Sequence, residues 1–289
     1  MVNSYTVKFN EYRKLRDLLN ATFAFTRQEI KPLFKSMLIL AMPLLILLGI
    51  VLGIFQTENM SMITDSAQNP DSVGLDYFQN LMIQYGLIFI IYYLAISVIS
   101  AIVLGYIVEY INNGPQVPFE NILAQVKAFL PRLLALNFVY FILVGIGFIF
   151  FIIPGMYLYI AMALSSVVLV FEDTGLGTSL QRSMYFVKGY WWRTLGYIIV
   201  IGLIYALIST VFSMPAGILT ILQSTGLITA APDSPLMLML SIVLNIISTL
   251  AYLFSSLVII FLAFYYHSQY ELKEAGNLMK GIDELGSSN

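Results

Sequence analysis

The sequence predicts an all-α polytopic membrane protein: six transmembrane helices with amphipathic interfacial elbow helices on the cytoplasmic side. Three observations carry this. Of 289 residues, 59% are hydrophobic and only 10% charged, with a mean hydropathy of +0.86. Soluble domains carry about 25% charged residues, so this chain lacks the polar groups to clothe a water-facing surface. Six apolar runs approach or exceed the ~20 residues that one crossing needs. Every Lys and Arg then falls on one side of the resulting map, the side expected to be cytoplasmic.

Residues 1–35 read as a cytoplasmic or interfacial amphipathic segment. Phe9, Tyr12, Leu15, Leu19 and Phe23 space like one face of a helix. Lys8, Arg13, Lys14, Arg16, Arg27, Lys31 and Lys35 make it basic. Glu11, Asp17 and Glu29 are too acidic for a signal-peptide start, and no small-residue cleavage site follows. A solvated face against soluble partners is the alternative reading.

The membrane domain is expected over residues 36–266. The first span is placed at 36–55, kinked at Pro43, with a GxxxG from Gly49 to Gly53 that suits close helix approach. Residues 56–80 read as an acidic loop holding Glu58, Asp65, Asp71 and Asp76, whose spacing does not fit a calcium loop. The second span is placed at 81–107. Pro115 and Pro118 break the chain, and residues 119–130 form another amphipathic segment. The third and fourth spans, 133–152 and 156–171, are expected to make a hairpin turning at Pro154 and Gly155, since one helix of that length would overrun a bilayer.

An elbow follows. Asp173 or Thr174 is expected to cap a helix with Leu176, Leu180, Met184 and Val187 on its apolar face, stopped at Gly189. Trp191 and Trp192 suit the membrane–water boundary, and Arg193 can snorkel to phosphate. The fifth span is placed at 194–212 and the sixth at 236–266, leaving 267–289 as a cytoplasmic tail. Seven cations precede the first span, two follow the second, three follow the fourth and two follow the sixth, which accounts for all 14. Only acids occupy the other side, so six spans with both termini cytoplasmic is the count that keeps the separation. Lys127, Phe129, Arg132 and Leu134 repeat the spacing of Lys188, Tyr190, Arg193 and Leu195, which suggests an elbow-plus-hairpin unit used three times; convergence on one interfacial pattern explains it as well.

Several of these residues carry a family resemblance. Ile153, Pro154 and Gly155, then Glu172, then Ser179 with Leu180 and Arg182 with Ser183, then Val187, Lys188 and Gly189 leading to Trp191, Trp192 and Arg193, resemble the glycerophosphoryl diester phosphodiesterase membrane-domain family. The resemblance covers about a sixth of the chain and implies a membrane fold in a bacterial inner membrane. It implies no phosphodiesterase activity, because the sequence shows no added soluble domain.

The residues point away from chemistry. There is no cysteine, hence no disulfide, thiolate or soft zinc ligand. No ionisable side chain lies within an expected span, where proton relays and ion sites usually keep one. His267, the only histidine, falls at the inner end of the sixth span. No phosphate loop, catalytic triad or metal-spaced cluster appears. No cofactor and no nucleic acid are expected. The leading expectation is a non-enzymatic inner-membrane scaffold or partner subunit, in contact with the bilayer and with a membrane or cytoplasmic protein. Lys127, Arg132, Arg182, Lys188, Trp191, Trp192 and Arg193 are its candidate lipid or partner contacts. A transporter or channel for a small or lipidic solute is the second reading, and it looks to Asn245 as an intramembrane polar contact. A membrane enzyme is the third.

Overall fold

The computed structural model describes residues 8–9, 11–68, 74–228, 230–231 and 234–275. Asp71, Asp233, Lys280 and the rest of the tail lie outside them, as do the side chains of Asp65 and Asp76. Among the described residues the regular structure is helical: α1 Leu15–Leu40, α2 Met42–Gln68, α3 Leu75–Asn113, α4 Phe119–Phe150, α5 Ile152–Ala161, α6 Ser165–Phe171, α7 Leu176–Val187, α8 Trp191–Ser224, α9 Pro235–Thr249 and α10 Ser255–Tyr270. A 3₁₀ segment, Leu250–Phe254, joins α9 to α10, and a π-helical turn, Glu271–Ala275, follows α10. Among the described residues six stretches are long and apolar enough to cross a membrane: Met42–Met62, Tyr77–Asn113, Phe119–Phe150, Ile152–Phe171, Trp191–Ser224 and Pro235–Glu274. The protein is all-α with six candidate membrane-crossing helices.

Several boundaries differ from the sequence reading, four of them for a local reason. Helix α1 runs through residue 36 to Leu40, and the chain is interrupted at Ala41. Pro43 sits in the first turn of α2, where its missing N–H costs little. The acidic loop after residue 55 is helical as far as Gln68, because no Gly or Pro intervenes and the Thr57 and Ser61 hydroxyls donate to carbonyls of the preceding turn. Residues 119–130 are fused to the third span in one helix, α4, so Glu58, Glu109, Lys127 and Arg132 all lie within candidate crossing helices. The hairpin reverses at Phe151, in extended backbone, rather than at Pro154 and Gly155. Pro154 occupies the first turn of α5, and Gly155 meets Gly147 so closely that a Cβ on Gly147 would lie 2.9 Å from the Gly155 Cα.

The chain divides into two compact units. The first comprises Met1–Ser36, Ser100–Leu203 and Ser256–Asn289. Its centre is aromatic: Phe9 stacks on Phe264 at 4.2 Å, and Phe25 meets Phe9 and Tyr110 edge-on at 5.5 and 5.0 Å. The face of α1 turned into it is Leu18, Thr22, Phe25, Glu29 and Leu33. Tyr12 and Phe23, grouped by spacing on one face with Phe9, are 44% and 43% exposed while Phe9 is buried. Lipid accepts apolar side chains as readily as a protein core does, so helical spacing alone does not tell one face from the other.

Two carboxylates are buried in this unit. Glu29 accepts from the Tyr106 hydroxyl at 2.5 Å and from the Gln116 backbone N–H at 3.4 Å. Glu109 accepts from Gln125, Asn113 and Asn121 side-chain amides at 2.6, 2.7 and 3.2 Å. Buried charge is tolerated where hydrogen bonds replace water.

The second unit comprises Met37–Ile99 and Ile204–Ser255. Its main seam joins α2 to α9. A Cβ built on Gly49 would lie 2.6 Å from the Ile246 Cα, and one on Gly53 would lie 2.5 Å from the Ile242 Cα. The GxxxG is therefore used inside the chain. Asn245 donates to the Gln56 side-chain oxygen at 2.5 Å and to the Ser241 carbonyl at 2.8 Å, and Gln56 donates to the Thr220 hydroxyl at 2.8 Å. The sequence contains no Lys or Arg in this unit; all 14 belong to the first.

Candidate functional site

The elbow lies in the first unit. Helix α7 begins after Gly175, with no side-chain cap. Asp173 is not the expected cap. It takes left-handed backbone, φ 49°, and its carboxylate accepts from Arg132 at 2.5 Å while the Thr174 carbonyl accepts from the same guanidinium at 2.6 Å. The buried face of α7 is Ser179, Leu180, Ser183, Phe186 and Val187. Ser183 sits opposite the interruption between α5 and α6: its hydroxyl donates to the Ala161 carbonyl at 2.9 Å and accepts from the Leu164 backbone N–H at 3.1 Å. One side chain thus satisfies two backbone groups at the break in the helix.

Arg182 is spent on the protein itself. Its guanidinium grips Glu172 with two hydrogen bonds of 2.7 Å and reaches Glu274 at 2.9 Å. The Tyr266 hydroxyl also donates to Glu172, at 2.9 Å. The Glu172 hydrogen bonds, helped by Glu274, hold Arg182 still further into its charged form. Arg182 also lies over the Phe186 ring at 4.9 Å.

Beyond α7 the chain stops as expected, with Lys188 as C-cap and Gly189 at φ 85°. Lys273 donates to the Tyr185 carbonyl and, at 2.8 Å, to the Lys188 carbonyl. A cation there complements the negative end of the helix dipole. Trp191 stacks on Tyr157 at 6.1 Å and donates to its carbonyl at 3.4 Å. Trp192 meets Trp191 edge-on at 4.8 Å and is 78% exposed. Arg193 lies 4.1 Å over the Tyr190 ring, and its Nε and Nη2 are buried with no hydrogen-bond partner among the described residues. Gly189, Tyr190, Trp191, Trp192 and Arg193 line a groove of about 400 Å³.

Of the seven contact candidates, the structure thus brings Trp191, Trp192 and Arg193 together in one groove, with Lys188 exposed just before it. Arg132 is tied to Asp173, Arg182 to Glu172, and Lys127 stands exposed on α4. The spacing shared by 127–134 and 188–195 marks no shared structure: the first lies inside α4, while the second crosses the stop at Gly189. Asn245 lies in the other unit, its amide nitrogen engaged by Gln56 and Ser241. Sequence reasoning missed Ser183 and Lys273 as fasteners of the elbow. Both act on groups too distant in sequence for spacing to show. Among the described residues no group of three His, Cys, Asp or Glu side chains could hold a metal ion.

Residues 31–269 match a family described as a domain of unknown function, DUF7847. The chain belongs to that family. Its relatives include a UPF0259 membrane protein of Buchnera aphidicola subsp. Schizaphis graminum, 28% identical over 179 residues, 59% of this chain and 71% of the relative. UPF0259 membrane proteins of Buchnera aphidicola subsp. Acyrthosiphon pisum, strains Tuc7 and 5A, are 34% identical over 85 residues. That match takes in 28% of this chain and 34% of each relative. No solved structure matches. These findings overturn the resemblance to the glycerophosphoryl diester phosphodiesterase membrane domain. Its motif residues do local structural work here: Pro154 in a first helical turn, Gly155 at a close helix crossing and Trp191 packed on Tyr157. The protein is a multi-pass membrane protein with bacterial relatives.

Proposed function

We propose that this member of the family is a non-enzymatic scaffold or partner subunit of a bacterial inner membrane, held by its elbow to anionic lipid headgroups. Both termini would then be cytoplasmic. The observation that carries the reading is the groove after α7. Exposed Trp192, exposed Lys188 and the Arg193 guanidinium lie within six residues. A phosphate beside the groove would meet the Lys188 ammonium and the Arg193 charge, and indole rings favour the headgroup layer. Charge supports the orientation: in the sequence every Lys and Arg falls before the first expected span or after an even-numbered one, and the other connections carry acids alone. The buried carboxylates Glu29 and Glu109, and the half-buried Glu172, are each held by hydrogen bonds that tie helices together, a structural employment rather than a catalytic one.

The test is lipid retention by the intact protein. Native mass spectrometry from mixed nanodiscs should show phosphatidylglycerol kept in preference to phosphatidylcholine. Combined Lys188→Gln, Trp192→Ala and Arg193→Gln should abolish the preference. Equal retention of both lipids, or a preference that survives the triple change, would sink the proposal. Transport past Asn245 is less well supported, because that amide is committed to Gln56 and Ser241.

A further inference from the structure

A second concavity, of about 480 Å³, lies in the first unit where α3, α6 and α10 end. Its polar and aromatic lining is Asn112, Phe171, Glu172, Tyr266, His267 and Tyr270. The volume falls within the ~300–1,000 Å³ of small-molecule sites. We propose that it binds an organic ammonium ion.

Three features select that chemistry. The first is the rings. Phe171 stacks on Tyr266 at 5.8 Å, His267 meets Phe171 edge-on at 4.9 Å, and Tyr270 leans against Tyr266 at 6.1 Å. Aromatic faces carry negative charge density and attract ammonium groups. The second is charge. Glu172, which shares Arg182 with Glu274, places a carboxylate on the wall of the site. The third is a vacant hydrogen-bonding group: the His267 Nε2 is buried with no partner among the described residues. Asn112, exposed at the rim, adds an amide oxygen.

The ammonium could belong to a lipid headgroup such as phosphatidylethanolamine or to a free amine. The site does not depend on the anionic-lipid groove, with which it shares no lining residue.

The experiment uses the full chain in nanodiscs of phosphatidylglycerol alone, titrated calorimetrically with choline and with 3,3-dimethylbutan-1-ol, its uncharged isostere. Choline should bind saturably and the alcohol at least about tenfold more weakly. Tyr270→Ala should weaken choline about 3- to 30-fold, the span from an exposed to a desolvated cation–π contact, and Tyr270→Phe should restore it. Tyr270 is 39% exposed, so the fold should survive either change. Doping the discs with phosphatidylethanolamine then separates the sources: loss of choline binding assigns the lipid headgroup, and unchanged binding assigns a free amine. Equal affinity for choline and the alcohol, no saturable choline binding, or indifference to Tyr270→Ala would each overturn the proposal.

Discussion

The Ser183 hydroxyl donates to the Ala161 carbonyl at 2.9 Å while accepting from Leu164 N–H at 3.1 Å, and so bolts the elbow to a broken transmembrane helix. Ser183→Ala removes one oxygen and strands two buried backbone groups. The cost should be about 1–3 kcal/mol. Ser179→Ala is the matched control, since that hydroxyl bonds only within its own helix, to Leu176 O. Hydrogen exchange should show the Leu164 amide accelerated in the first variant and unchanged in the second.

Glu172 is held from two directions, by the Arg182 fork and by the Tyr266 hydroxyl. Arg182→Gln takes away both charge and fork, and leaves a carboxylate whose side chain is only 15% exposed. Destabilisation of about 2 kcal/mol is expected, read as a melting temperature lower by roughly 4–8 °C. Arg182→Lys keeps the charge without the two-pronged geometry and should fall between. Arg182→Gln together with Glu172→Gln should be less damaging than the two single losses added.

Gly49 and Gly53 let α2 lie against the α9 backbone. Gly53→Val places a branched side chain where even a Cβ is 2.5 Å from the Ile242 Cα. Backbone must move, so the variant should lose more than about 2 kcal/mol or fail to fold. Gly86→Ala and Gly145→Ala meet nothing within 4 Å and should be neutral or slightly stabilising. Melting curves of the three variants in one detergent decide it.

What the sequence made legible was whatever obeys a solvent rule. Six spans follow from apolar run length. The stop at Gly189 follows from local backbone chemistry. The inner face of α1 did not follow, because Tyr12 and Phe23 can face lipid while Leu18 and Phe25 take the core. Nor did helix ends: Thr57, Glu58 and Ser61 are polar, yet nothing there breaks the helix. The site was half legible. Lys188, Trp191, Trp192 and Arg193 are close in sequence and stay together in space. Glu172, Tyr266 and Glu274 meet around Arg182 only through long-range folding.

Asp173 separates backbone strain from surface charge. It holds φ at 49°, and its side chain is 80% exposed while pairing with Arg132. An exposed ion pair contributes about 0–1 kcal/mol. Left-handed backbone costs a non-glycine residue about 1–2 kcal/mol, less for Asp and Asn. Asp173→Gly therefore loses a weak pair and relieves strain, so stability should change by less than about 1 kcal/mol. Asp173→Asn keeps a residue that tolerates the conformation and should differ from wild type only by the ion pair, a difference that high salt should erase. Asp173→Val loses the pair and adds a branched Cβ at positive φ, and should cost about 2 kcal/mol or more. If Asn and Val prove equally damaging, the Arg132 contact and not the backbone sets the turn into α7.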